Sequence, residues 1–128
     1  TNNFFIKLYF YFYNSIAHSS VLIRTSLLKE HGVYNENFKY AEDLELWLRL
    51  LSKKVIFYNL AEPLTYYSMA KKPYLRIKEN FIYNLKARKK HSCKIYGNIF
   101  GAINIKIFKI FISNFKRTQK ILNWLLKI

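Results

Sequence analysis

Residues 34–51, YNENFKYAEDLELWLRLL, decide how this 128-residue chain is read. Glu42, Asp43 and Glu45 stand together where a helix begins, and Asp43 is the only aspartate in the sequence. Apolar residues return at Leu44, Trp47, Leu48 and Leu51. That is the i, i+3, i+4, i+7 spacing of a helix that turns one stripe toward a core. A helix is therefore predicted from about residue 41 to 52, with Trp47 and Leu48 in the core. Asp43 sits at its mouth. A carboxylate there either caps the helix or faces a cleft and takes a proton from a substrate. Glu45 and Arg49 are i, i+4 partners in the favourable order, an ion pair worth about 0.2–0.5 kcal/mol at a surface.

Working outward, residues 3–13, NFFIKLYFYFY, fit either a strand or a buried helix, because aromatics favour strands while the run is almost continuous. Residues 21–24 read as a strand. Thr25 or Ser26 then offers an N-cap oxygen to a short helix through His31, and Gly32 offers the left-handed position that ends it. A loop over 33–40 leads to the acidic helix. Residues 55–58 and 64–68 read as two short strands around Ala61-Glu62-Pro63. Lys71-Lys72-Pro73 is a break, and the one candidate boundary lies near 70–73. A long helix follows over about 74–96, punctuated by Gly97 and Gly101. From residue 103, polar residues recur at Lys106, Lys109, Ser113, Lys116, Lys120, Asn123 and Lys127. These alternating steps of three and four draw one polar stripe on a helix otherwise dominated by Ile, Phe, Leu and Trp124.

The formal net charge is +15, and its distribution is uneven. All acids lie between Glu30 and Glu79, whereas residues 80–128 carry eleven Lys or Arg and no acid. Such a one-sign tail calls for an anionic partner: lipid, nucleic acid or substrate phosphates. No uncharged apolar run approaches the ~18 residues that span a bilayer, so no transmembrane helix is predicted. No signal peptide is evident either, since Lys7 interrupts the early aromatic run. Cys93 is the only cysteine and has no partner for an internal disulfide. His31 and His91 read as surface or capping residues.

The order His18-Ser-Ser-Val-Leu-Ile-Arg, Gly32-x-Tyr-Asn-Glu, Glu42-Asp43, then Leu46-Trp47-Leu48-Arg49 resembles the C-terminal half of family 2 glycosyltransferases over roughly residues 14–68. The resemblance implies an α/β fold: a C-terminal fragment of the GT-A (nucleotide-diphospho-sugar transferase) domain over 1–70, then a basic extension of two helices over 71–128. It favours a helix before Asn14. It also implies an inverting transfer from a nucleotide-sugar donor to a glycan or lipid-linked acceptor, in cell-surface polysaccharide synthesis. Asp43 matches the general base, Glu42 matches a residue that orients the base or contacts acceptor, and Arg49 matches an arginine beneath the active site. His18 precedes a strand and falls near the cleft, so it joins Glu42 and Arg49 as a candidate substrate contact.

Enzymes of this kind use a divalent cation, Mg²⁺ or Mn²⁺, to neutralise the departing diphosphate. The resemblance assigns that ion mainly to a donor-binding half with an Asp-x-Asp motif, and none to this chain alone. Relatives commonly carry Tyr-Arg-x-His after the Pro-Leu strand, where this chain has Tyr67-Ser68-Met69-Ala70. The expected location is cytoplasmic, peripheral on the inner face of the cell membrane, with an anionic membrane surface as a further partner. The competing reading is a non-catalytic basic helical module on a membrane surface or on nucleic acid. Nucleic acid is not expected, because the basic residues concentrate in an amphipathic tail and form no recognised binding motif.

Overall fold

The computed structural model describes residues 2–66 and 74–125, apart from the side chains of 74–78, 115, 116 and 118–125. Among the described residues there are five α-helices: α1 (Asn3–Phe12), α2 (Thr25–His31), α3 (Glu42–Ser52), α4 (Tyr74–Tyr96) and α5 (Asn98–Leu125). A 3₁₀ turn occupies His18–Ser20, and none of the described residues is in a strand. The expected α/β, GT-A-type fragment is thereby corrected to an all-helical arrangement.

The reason lies in where the backbone hydrogen bonds go. Residues 21–24 and 55–58 do alternate as strands would: Val21, Ile23, Val55 and Phe57 pack on the core while Leu22, Ile56 and Tyr58 are exposed. Yet two amides of the second segment, those of Val55 and Phe57, already have partners. The Lys54 N–H donates to the Leu51 carbonyl at 3.0 Å and the Val55 N–H to the Leu50 carbonyl at 3.1 Å. With Lys54 at φ 64°, these are the two bonds of a Schellman cap closing α3. The Phe57 N–H goes instead to the Asn3 side-chain oxygen, 2.9 Å away. Side-chain period makes a segment extended, but a sheet needs a neighbour that exchanges main-chain bonds. Of the third expected strand, Leu64 and Tyr66 are exposed, whereas residues 67 and 68 and the boundary at 70–73 lie outside the described residues.

The run 3–13 resolves as a helix. Asn2 caps α1 by accepting the Phe5 N–H at 3.3 Å, and Ile6 and Phe10, four residues apart, are its buried stripe. No side-chain bond caps α2, whose N-cap is Arg24 rather than Thr25 or Ser26; Gly32, at φ 84°, follows its end.

Helix α3 is the centre. Beyond the expected stripe of Leu44, Trp47, Leu48 and Leu51 it buries Glu45, Leu46 and Leu50, so it is enclosed on nearly every side. Trp47 and Leu48 are core residues, as expected. Helix α4 packs against both α3 and α5. The α4–α5 hairpin turns at Gly97, φ 80°, and closes at Gly101, where an added methyl carbon would lie 2.5 Å from Cys93 Cα.

Candidate functional site

A cleft of about 960 Å³ is built from three parts of the chain. Residues 13–19, from the end of α1 into the 3₁₀ turn, form one wall; Lys39, Tyr40, Glu42 and Asp43, at the entry to α3, form the second; Asn80 and Phe81 of α4 form the third. The Asn80 amide donates to the Tyr40 carbonyl and ties the last two together.

Asp43 and Glu42 lie in the first turn of α3, where the helix N-terminus favours negative charge. Asp43 Oδ1 accepts the Leu44 N–H at 2.7 Å, which satisfies one of the orphan amides of that turn. Its Oδ2 accepts the Asn14 side-chain amide at 2.9 Å. The aspartate therefore serves the helix end and faces the cleft at once; the two readings of the sequence were not exclusive. Three buried polar atoms of the lining, Asn14 Oδ1, Ser15 Oγ and Glu42 Oε2, have no hydrogen-bond partner among the described residues. Buried polar atoms without partners are costly, and a cluster of them in a cleft points to a polar ligand or water that completes them.

His18 also lines the cleft, and its Nε2 lies 2.8 Å from the Tyr34 hydroxyl. Its ring sits 6.4 Å from that of Trp47, centroid to centroid. Partial burial, then the charges of Asp43 and Glu42, raise the Tyr34 pKa. Tyr34 is thus a neutral phenol that holds His18 at the rim.

Arg49 does not line the cleft. Its guanidinium grips Glu45 Oε2 at 3.2 and 3.3 Å and donates to the carbonyls of His31, Gly32 (2.9 Å) and Val33 (2.6 Å). It closes the C-terminal end of α2, where a cation suits the helix dipole. Nor is Glu45 a surface partner. Its carboxylate is fully buried and meets Lys90 at 3.2 Å and His91 at 2.9 Å as well as Arg49. Burial alone would raise its pKa, but the bonds from His91 and Lys90 and the Arg49 charge prevail and bring it to about 2. His91, expected at the surface, is buried as part of this cluster.

The sequence reading also passed over Arg88, which is fully buried. Its Nη1 donates to the Phe10 carbonyl at 2.6 Å and the Tyr11 carbonyl at 3.3 Å, closing the end of α1. The guanidinium carbon rests 3.7 Å from the Phe108 ring centre, and burial lowers its pKa to about 10, so it stays charged at neutral pH. No local pattern signals such a residue, since a lone Arg in a basic helix looks like any solvated one.

The divalent cation implied by the resemblance finds no cluster of ligands among the described residues. No group of three or more His, Cys, Asp or Glu is placed there to hold a metal. Comparison of the chain with protein-family models, with curated proteins and with solved structures yields no match.

Proposed function

We propose that this chain forms the acceptor side of an inverting glycosyltransferase, which moves a sugar from a nucleotide-sugar donor to a glycan or lipid-linked acceptor in cell-surface polysaccharide synthesis. The observation that carries the reading is that Asp43, Glu42 and His18, separated by up to 25 residues in sequence, line one cleft together with three unpartnered buried polar atoms. Tyr13, Tyr40 and Phe81 add aromatic surface to that lining, suited to the apolar face of a sugar ring.

In this mechanism Asp43 accepts the proton of an acceptor hydroxyl as that oxygen bonds to the anomeric carbon. The carbon–oxygen bond to the donor diphosphate breaks, the nucleoside diphosphate leaves, and a single displacement inverts the centre. A hydroxyl is a weak nucleophile at neutral pH, and a placed base contributes about 10²–10⁴-fold. Asn14 holds one oxygen of that base. Glu42, with Oε2 unpartnered, and His18 contact the acceptor. Arg49 acts beneath the site by holding α2 on α3. Diphosphate and divalent cation fall, on this reading, to parts of the enzyme outside this chain. The work is done in the cytoplasm, at the inner face of the cell membrane; among the described residues no helix is long and apolar enough to cross a membrane.

The test is turnover in the enzyme that carries this chain. Asp43→Asn is expected to lower kcat at least ~10²-fold with the donor KM unchanged. Near-normal turnover would overturn the assignment.

A further inference from the structure

Helix α5 meets the rest of the fold along a narrow stripe, on which Gly101, Asn104 and Phe108 are buried. Beside that stripe, Ile99, Phe100, Ile103, Ile107, Ile110 and Phe111 are each 40–73 % exposed. At about 100° per residue these six fall within an arc of roughly 120°. Lys106 and Lys109, both exposed, border the arc on the side away from the packed stripe, and exposed Arg117 falls in line with Ile99. Isolated exposed apolar residues need no explanation, but a contiguous band along more than three turns does.

We propose that this band seats on an anionic lipid surface, with α5 lying in the plane of the interface. An apolar arc edged by cations is the pattern of helices that rest at the boundary between headgroups and acyl chains. Residues 80–128 contain eleven Lys or Arg and no acid, a charge complementary to an anionic leaflet. The same charge disfavours a second copy, because two such faces would bring cationic rims together on a chain of net charge +15. Nucleic acid would use the lysines and leave the isoleucines without a role. Seating of this band does not depend on the cleft chemistry, so either proposal can fail alone.

Flotation of the full chain with vesicles of phosphatidylcholine, alone or mixed with phosphatidylglycerol, tests it. The chain is expected to float with the mixed vesicles only, and less as salt rises. Removing lysine charge near an anionic leaflet weakens binding about fivefold for each residue, so the double variant Lys106→Gln/Lys109→Gln should bind about 25-fold less. Ile103→Asn/Ile107→Asn should lose binding with its helical circular dichroism intact, whereas Asp43→Asn should float like the unaltered chain. Equal binding to neutral and anionic vesicles, binding to neither, or unaltered binding by either double variant would overturn the proposal. So would sedimentation equilibrium showing a dimer that the isoleucine variant dissociates.

Discussion

The Asn14 side-chain amide lies 2.9 Å from Asp43 Oδ2, across 29 residues of sequence, and it joins the segment after α1 to the first turn of α3. One oxygen of the proposed base thus has a fixed donor while the carboxylate remains on the cleft wall. Asn14→Ala should leave the carboxylate held through Oδ1 by the Leu44 N–H alone, with Oδ2 no longer fixed. Misplacement by about 1 Å can cost about 10²-fold, so a fall of roughly 10–100-fold in kcat with an unchanged donor KM is expected. A change confined to KM would show that Asn14 contacts substrate instead.

The Glu45 cluster makes stability depend on pH. Its pKa is about 2 in the folded protein, below the usual carboxylate range, so its contribution is complete above the unfolded value and is lost as pH falls from about 4.5 toward 2. The whole shift corresponds to roughly 3 kcal/mol. Glu45→Gln should remove that slope from urea denaturation measured across the window. It should also destabilise by ~3–5 kcal/mol at neutral pH, because Arg49, Lys90 and His91 would lose their buried anion. A variant as stable as the parent would mean that these cations need no counter-ion.

Gly101→Ala tests the closure of the hairpin. Its methyl carbon would meet Cys93 Cα at 2.5 Å and Cys93 N at 2.6 Å, main-chain atoms that can move only if the helices separate. Overpacking of this kind costs ~1–3 kcal/mol or more. Thermal denaturation would show it; an unchanged midpoint would place the two helices farther apart.

Lys54 offers the opposite opportunity. It occupies the left-handed position of the Schellman cap at φ 64°, where a side chain is strained and glycine is not. Lys54→Gly is expected to stabilise by about 0.5–1 kcal/mol, read from the denaturant midpoint. Destabilisation would indicate that the lysine side chain makes a contact of greater value than the strain it imposes.

Leu48 is fully buried on α3, and Leu48→Ala should cost ~2–5 kcal/mol in chemical denaturation. A loss below ~0.5 kcal/mol would be incompatible with a packed site.

Local pattern carried much of this protein. The stripe Leu44, Trp47, Leu48, Leu51 identified α3, the long helix expected over 74–96 is α4, and Gly97 marks the turn into α5. The acidic pair and His18 were picked out from order and residue type, and the folded chain brings them to one cleft. Each of these signals is local: helix period and side-chain chemistry are written within a few residues.

Tertiary structure decided what depends on partners far along the chain. Residues 21–24 and 55–58 have the alternation of strands, but no neighbouring segment among the described residues exchanges main-chain bonds with them, and Val55 gives its amide to the end of α3. Glu45 looked like half of a surface pair; Lys90 and His91, 45 and 46 residues away, make it a buried hub. Arg88 caps a helix 77 and 78 residues upstream. Burial and counter-charge are properties of the packed whole. The sequence alone marked the helices α2, α3 and α4 and the side chains that carry charge, while only the fold settled α1 and determined which of those charges leave water, because desolvation depends on every element that closes over them.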